Sequence, residues 1–147
     1  MLIGILAEEV DNITLEKTYS TLFNQVQQKI QDVKNEMDLS HIDFPEGKQL
    51  RPRLFIISFL MCHPSVPETN SAKTRLINTA VALELLHEAS LIHDDILDSA
   101  STRRGKATIH TKHGKATALV IGDILFCKSV ELIINTIYHI SNAFFIN

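Results

Sequence analysis

Tryptophan is missing from this chain of 147 residues, and its aromatics are limited to seven phenylalanines and two tyrosines. Glycine and proline are scarce as well, with five and four occurrences. So few turn-formers argue against a succession of short strands and favour long helices. Cysteine is limited to Cys62 and Cys127, far apart and without metal-ligand spacing. Their apolar neighbours point to buried thiols in a reducing compartment. Neither charge sign dominates: 14 Lys and Arg face 17 Asp and Glu, a net charge of −3. That balance gives no overall pull towards nucleic acid or anionic lipid, so any basic site must be local. The longest apolar run, around "LFIISFLMC", falls short of the ~20 residues that a membrane span needs. "MLIGILAEEV" starts apolar but lacks the basic start and cleavage pattern of a secretory signal. A soluble, cytoplasmic protein is expected.

What is present is an ordinary globular composition, 45% hydrophobic and 21% charged, at the length of a single domain spanning 1–147. Leu15, Thr18, Leu22, Val26, Ile30 and Val33 recur at three- and four-residue steps, which predicts a helix capped by Thr14 and running towards Ser40. "HIDFPEGKQLRP" breaks the pattern. Pro52 suits the first turn of a second helix, "RPRLFIISFLMC", apolar nearly all round and expected at the centre of the core. "HPSVPETN" reads as a surface loop. Ser71 or Asn70 can cap a third helix from about Ala72 to Asp98, and residues 99 to 115 read as a loop. A last helix starts near Ala116. Alternation is never sustained, so the fold class is all-α.

On a helical wheel at about 100° per residue, Asp94 and Asp98 fall within about 20° of His87, whereas Asp95 points about 80° away. Val81, Leu85, Ala89, Ile92 and Ile96 lie on the opposite side. Ala80, Leu83 and Leu91 share the His87 side, so this face is partly aliphatic. Such a face suits a cavity wall, oily inside and acidic at its mouth. Asp94 and Asp98 stand on adjacent turns near the helix C-terminus, where paired carboxylates repel each other and oppose the helix dipole. A bridging Mg²⁺ would relieve both effects, since that ion binds through one or two carboxylates, waters and substrate phosphates.

Arg103, Arg104 and Lys106 follow the aspartates at once, and Lys48 and Arg51 precede the second helix. Guanidinium groups match phosphate oxygens in pairs. A metal on one side and arginines on the other make a grip for a diphosphate.

These blocks together resemble the trans-isoprenyl diphosphate synthases, the polyprenyl synthase family. "GKQLRP" is similar to the family's Gly-Lys-Arg-x-Arg-Pro motif, with Gln49 in place of an arginine. "LELLHEASLIHDDILD" resembles the helix of the first aspartate-rich motif, and "RRGKATIHTKHGKATALVIGDILF" the segment after it. The resemblance implies the N-terminal portion of an isoprenoid-synthase-type helical bundle. It implies Mg²⁺ on Asp94 and Asp98, with Asp95 adding to the acidic cluster, and an allylic diphosphate clamped by Arg103. Isopentenyl diphosphate would be held by Lys48, Arg51, His87 and Arg104. Ala89 and Ser90, both small, would form the floor that limits product growth, with Leu86 a later floor, so a medium- or long-chain product is expected. His93, His110 and His113 are expected to be structural or at the surface.

The resemblance covers nearly all of this chain but only the first half of a family member. The second aspartate-rich motif is absent, and "NTIYHISNAFFIN" does not continue the family pattern. The expectation is therefore a truncated, inactive form of a prenyl diphosphate synthase, prone to homo- or hetero-oligomerisation through its bared inner faces. The alternative is a non-catalytic partner subunit that modulates a full-length synthase.

Overall fold

Rich in Leu, Glu, Gln and Lys, the N-terminal quarter of the chain propagates as one helix, α1 (Leu2–Glu36). The computed structural model describes the backbone of residues 2–45, 47–63 and 69–145, and the side chains of residues 14–45, 47–63 and 69–138. Thr14 lies inside α1 rather than capping it, because helix-forming residues on both sides carry the helix through. The expected stripe holds from Leu22 onwards: Leu22, Val26, Ile30 and Val33 are all buried. The helix stops where Asp38 turns left-handed (φ 57°). There the amides of Asp38 and Leu39 bond back to the carbonyls of Asn35 and Lys34 at 3.0 and 2.8 Å, the double closure of a Schellman end.

Helix α2 (Leu50–Cys62) follows a loop and is not central. It buries Pro52, Ile56 and Leu60, while Leu54 and Met61 are 62% and 81% exposed. An all-round apolar sequence specifies no packing direction; contact with α1 and the later helix over 70–97 buries a single face. Arg53 fastens that side: its guanidinium lies 3.9 Å above the Phe23 ring and donates to the Tyr19 hydroxyl at 3.1 Å.

Helix α3 (Asn70–Leu97) is capped by Thr69, one residue before the expected caps, whose hydroxyl accepts from the Ala72 amide at 3.2 Å. It is the hub, packing against α1, α2 and two later helices, α4 (Ile109–His113) and α5 (Lys115–Phe145). Val81, Leu85, Ala89 and Ile92 are buried, as the wheel requires. The expected loop after α3 contains a two-residue antiparallel ladder, β1 (Thr102–Arg103) with β2 (Lys106–Ala107). Arg104 and Gly105 form its turn, both with positive φ (53° and 77°), the twist that two-residue hairpins favour. Strands this short carry no alternation to read. The architecture remains all-α.

Cys62 and Cys127 are exposed, not buried. Both sit on outward faces of helices whose apolar residues are likewise uncovered, Phe126, Ile134 and Ile137 on α5 among them. Among the described residues no helix is long and apolar enough to cross a membrane. Residues 64–68 of the expected surface loop lie outside the described residues.

Candidate diphosphate site

Three segments build the site: the C-terminal half of α3, the β1–β2 hairpin, and the loop that leads into α2. Asp94 and Asp98 stand exposed on α3's last turn, and the amide of Asp98 closes that turn on the Asp94 carbonyl at 2.8 Å. Ser99 then turns left-handed (φ 52°) and the chain reverses. Fully buried Thr108 fixes the reversal, its hydroxyl donating to the Ala100 carbonyl at 2.8 Å. The hairpin is thereby folded back onto the helix that carries the aspartates.

Asp95 behaves differently from its neighbours. It is 5% exposed, and one of its oxygens accepts from both Nε and Nη2 of Arg103 at 2.8 Å. Among the described residues no group of three His, Cys, Asp or Glu side chains comes together as a metal site. Asp94 and Asp98, hard oxygen donors on one exposed face, fit an ion such as Mg²⁺ that takes two protein carboxylates. Asp95 is committed to Arg103 instead.

Arg104 reaches the other way. Its Nη1 donates to the Pro45 carbonyl at 3.2 Å, and its guanidinium lies over Gly47. A Cβ added to Gly47 would sit 3.1 Å from the Arg104 Cζ, so the glycine makes room for that group. Asp43 ties the same loop to the hairpin side, accepting from Lys106 at 2.9 Å and from Lys112 at 2.8 Å. These two ammonium groups hold its carboxyl down at about 2. Lys106 is thus engaged with Asp43, away from the arginine pair.

His87 reports where the cations converge. Burial lowers its pKa first, and then Arg51, Arg104 and Arg103 lower it further, against the opposing charge of Asp94. Its imidazole is therefore neutral near pH 7. A narrow cleft holds His87, Asp95, Arg103 and Arg104 together with the aliphatic Leu91 and Ile92. Lys48 and Arg51 are exposed beside it; the Lys48 carbonyl accepts from Arg53 Nε at 3.0 Å. Gln49, left-handed at φ 48°, accepts from Gln27 at 3.3 Å and so sits in the helix–loop junction.

A model of the polyprenyl synthetase family matches residues 32–145. The chain belongs to that family. The family match runs through "NTIYHISNAFF", which corrects the expectation that this stretch departs from the family pattern. The short chain isoprenyl diphosphate synthase of Methanocaldococcus jannaschii is 36% identical over 93 residues, 63% of this chain and 26% of that protein. Heptaprenyl diphosphate synthase component 2 of Geobacillus stearothermophilus is 51% identical over 57 residues, 39% of this chain and 18% of that one. A polyprenyl synthase from Caulobacter crescentus CB15, crystallised with calcium and isoprenyl diphosphate, superimposes with a TM-score of 0.67 at 26% identity. That superposition covers 83% of this chain and 37% of the other. The chain therefore spans about a third or less of the relatives named here.

The polyprenyl synthetase chain also holds residues that sequence reasoning missed. Glu84 is 4% exposed and lines the cleft. Its position three residues before His87 on one helix was the available signal. Lys34 gave none, being 54 residues from Glu88, with which it pairs at 2.8 Å while resting 4.0 Å above the Phe44 ring. The floor residues divide. Ala89 is 1% exposed within the core, whereas Ser90 and Leu86 are exposed, and Leu86 lines an apolar groove of about 280 Å³ with Phe126 and Val130. His93 lies 3.4 Å from Asp123, with its ring against Gly122.

Proposed function

We propose that the chain carries the diphosphate-gripping part of a Mg²⁺-dependent prenyltransferase that joins an allylic diphosphate to isopentenyl diphosphate. The convergence of Arg51, Arg103 and Arg104 around neutral His87, beside the exposed Asp94 and Asp98, carries the reading. Three permanent cations around an uncharged imidazole suit an anion with several oxygens. Bound Mg²⁺ would neutralise charge on the departing diphosphate. Asp94 and Asp98 hold that ion, Arg103 the allylic diphosphate, and Lys48, Arg51, His87 and Arg104 the isopentenyl diphosphate. The allylic C–O bond breaks with its electron pair leaving on the diphosphate. The isopentenyl double bond then attacks the allylic carbon, and loss of a proton restores a double bond.

Product length belongs to the same reading. The growing chain runs along the groove past Leu86, and the small, exposed Ser90 favours a medium- or long-chain product. Ala89 sits in the core, so a bulky residue there acts through overpacking, at about 1–3 kcal/mol. Ser90→Phe is the cleaner probe of length.

Calorimetric titration of isopentenyl diphosphate into the 147-residue chain tests the grip. Binding should weaken roughly tenfold in Arg51→Ala and in Arg104→Ala, the equivalent of one charge-assisted hydrogen bond. No binding by the wild-type chain would end the proposal. A second reading, a subunit that completes or modulates another synthase, draws on the likeness to a protein named as a component and on the uncovered apolar residues of α2 and α5. Co-purification with a larger synthase subunit, and product formed only by the mixture, would favour it.

A further inference from the structure

The guanidinium of Arg53 joins α1 to the turn that carries Lys48. Its Nε donates to the Lys48 carbonyl at 3.0 Å, its Nη1 donates to the Tyr19 hydroxyl at 3.1 Å, and its centre lies 3.9 Å above the Phe23 ring. Tyr19 and Phe23 stand one turn apart on α1 with their rings stacked, and Phe23 is buried, so this end of the contact is firm. Donors fixed in one plane allow a single arginine to serve all three partners, which the point charge of a lysine does not. Gln49, next after Lys48, is left-handed at φ 48° and ψ 47°, a conformation that a non-glycine residue keeps only where its surroundings fix it. The amide of Arg53 donates to the Gln49 carbonyl at 3.3 Å. One residue thus holds the carbonyls of two consecutive residues in the turn. Arg53 does not line the narrow cleft of His87, Arg103 and Arg104. With Lys48 and Gln49 it lines a cavity of about 390 Å³ that Gln27 and Gln31 of α1 also wall.

We infer that Arg53 is a positioning residue: tethered to Tyr19 and Phe23, its guanidinium fixes the backbone of Lys48, so that the lysine side chain starts from one place at the diphosphate site. The inference rests on the diphosphate reading above, in which Lys48 helps to hold isopentenyl diphosphate. It adds a residue that acts through Lys48 rather than on the substrate. Lys48 is exposed and its stem is flexible, so a loose backbone beneath it would spread the ammonium over many positions and weaken its hold on an anion. Two other roles have different signatures. A further phosphate-binding cation would act independently of Lys48. A plain clasp between α1 and α2 would set stability and leave affinity alone.

The test is calorimetric titration of isopentenyl diphosphate into the 147-residue chain and its Arg53→Lys, Lys48→Ala and doubly substituted forms. Arg53→Lys keeps the charge and loses the fork. It should bind roughly fivefold more weakly than wild type, the size of one hydrogen bond. In the Lys48→Ala background the same substitution should change affinity by less than about twofold, because nothing remains for Arg53 to position. Urea midpoints are the control: whatever stability Arg53→Lys loses, it should lose equally in both backgrounds. Tyr19→Phe removes only a hydroxyl on α1 and decides the matter if Arg53→Lys fails to fold. It should weaken binding about twofold with Lys48 present and leave it unchanged without. Unaltered affinity in both variants, or equal losses with and without Lys48, overturns the positioning role and leaves the diphosphate site standing. Absence of binding by the wild-type chain ends the parent reading and this one together.

Discussion

Asp95 and Arg103, eight residues apart, form a two-pronged ion pair in which one carboxylate oxygen accepts from Nε and Nη2 at 2.8 Å. The carboxylate is buried while the guanidinium is partly exposed. The pair welds the hairpin to the helix of the aspartates, and it splits a run of three acids into one structural residue and two that face outwards. Arg103→Ala strands the buried Asp95 charge and should lower stability by about 3 kcal/mol, whereas Asp95→Ala leaves a partly exposed guanidinium and should cost less. Urea unfolding of both single variants and the double variant measures the coupling, and purely additive losses would contradict it.

Asp94 and Asp98 should behave in the opposite way. Both are exposed at the C-terminal end of α3, where negative charge is unfavourable. Asp94→Asn and Asp98→Asn should leave stability unchanged or raise it by up to about 0.5 kcal/mol. Each should abolish Mg²⁺-dependent enhancement of diphosphate binding. Parallel titrations with and without Mg²⁺ read the effect, and enhancement retained in both variants would remove them from the metal site.

Gly47→Ala probes the seat of Arg104. The added methyl would meet the guanidinium, the mobile end of a side chain, so the backbone need not move. Stability should change by less than about 1 kcal/mol, while isopentenyl diphosphate binding weakens several-fold because the Pro45 contact is displaced. An unaltered affinity would show that this seat has no bearing on binding.

Two groups set opposite ends of the acid limb. Asp43 titrates at about 2, below its ordinary 3.8, so its stabilisation is full above pH ~4 and vanishes as pH falls towards 2. His87 is also depressed, from an ordinary 6.5, so the unfolded chain binds its proton more readily. Its contribution is whole above pH ~6.5 and is lost as pH falls below it. Acid unfolding should therefore begin at higher pH in Asp43→Asn, and His87→Gln should flatten the slope below pH 6.5. Matching curves for wild type and variants would refute both assignments.

Glu84 is displaced upwards from its ordinary 4.5 by burial and then by Glu88. The folded chain holds this proton more tightly, so its favourable contribution is complete below pH ~4.5 and disappears as pH rises through the folded value. Glu84→Gln should accordingly be at least as stable as wild type at pH 7, by denaturant midpoint.

Helix content, the inward stripe of α3 and the exposed pair Asp94 and Asp98 were all legible in the sequence, because helical periodicity is a local property with a strong signal. The resemblance of "GKQLRP" and "HDDILD" to one family was legible for the same reason: each motif is contiguous. Errors arose where a local signal needed a neighbour to interpret it. Thr14 is a good cap residue in a place where the helix does not begin. The apolar residues around Cys62, Cys127 and α2 record hydrophobicity but not which side is covered.

The chain's order of residues thus determined that α3 would carry a histidine and two carboxylates on one face, with two arginines close behind. Only the tertiary structure decided what each charge does. Asp95 turns to Arg103, Lys106 to Asp43, and Arg104 to the carbonyl of Pro45, 59 residues away. Lys34 finds Glu88 across 54 residues. Electrostatic partnership depends on separations of a few ångströms in space, and no spacing along the chain encodes those until the helices have packed.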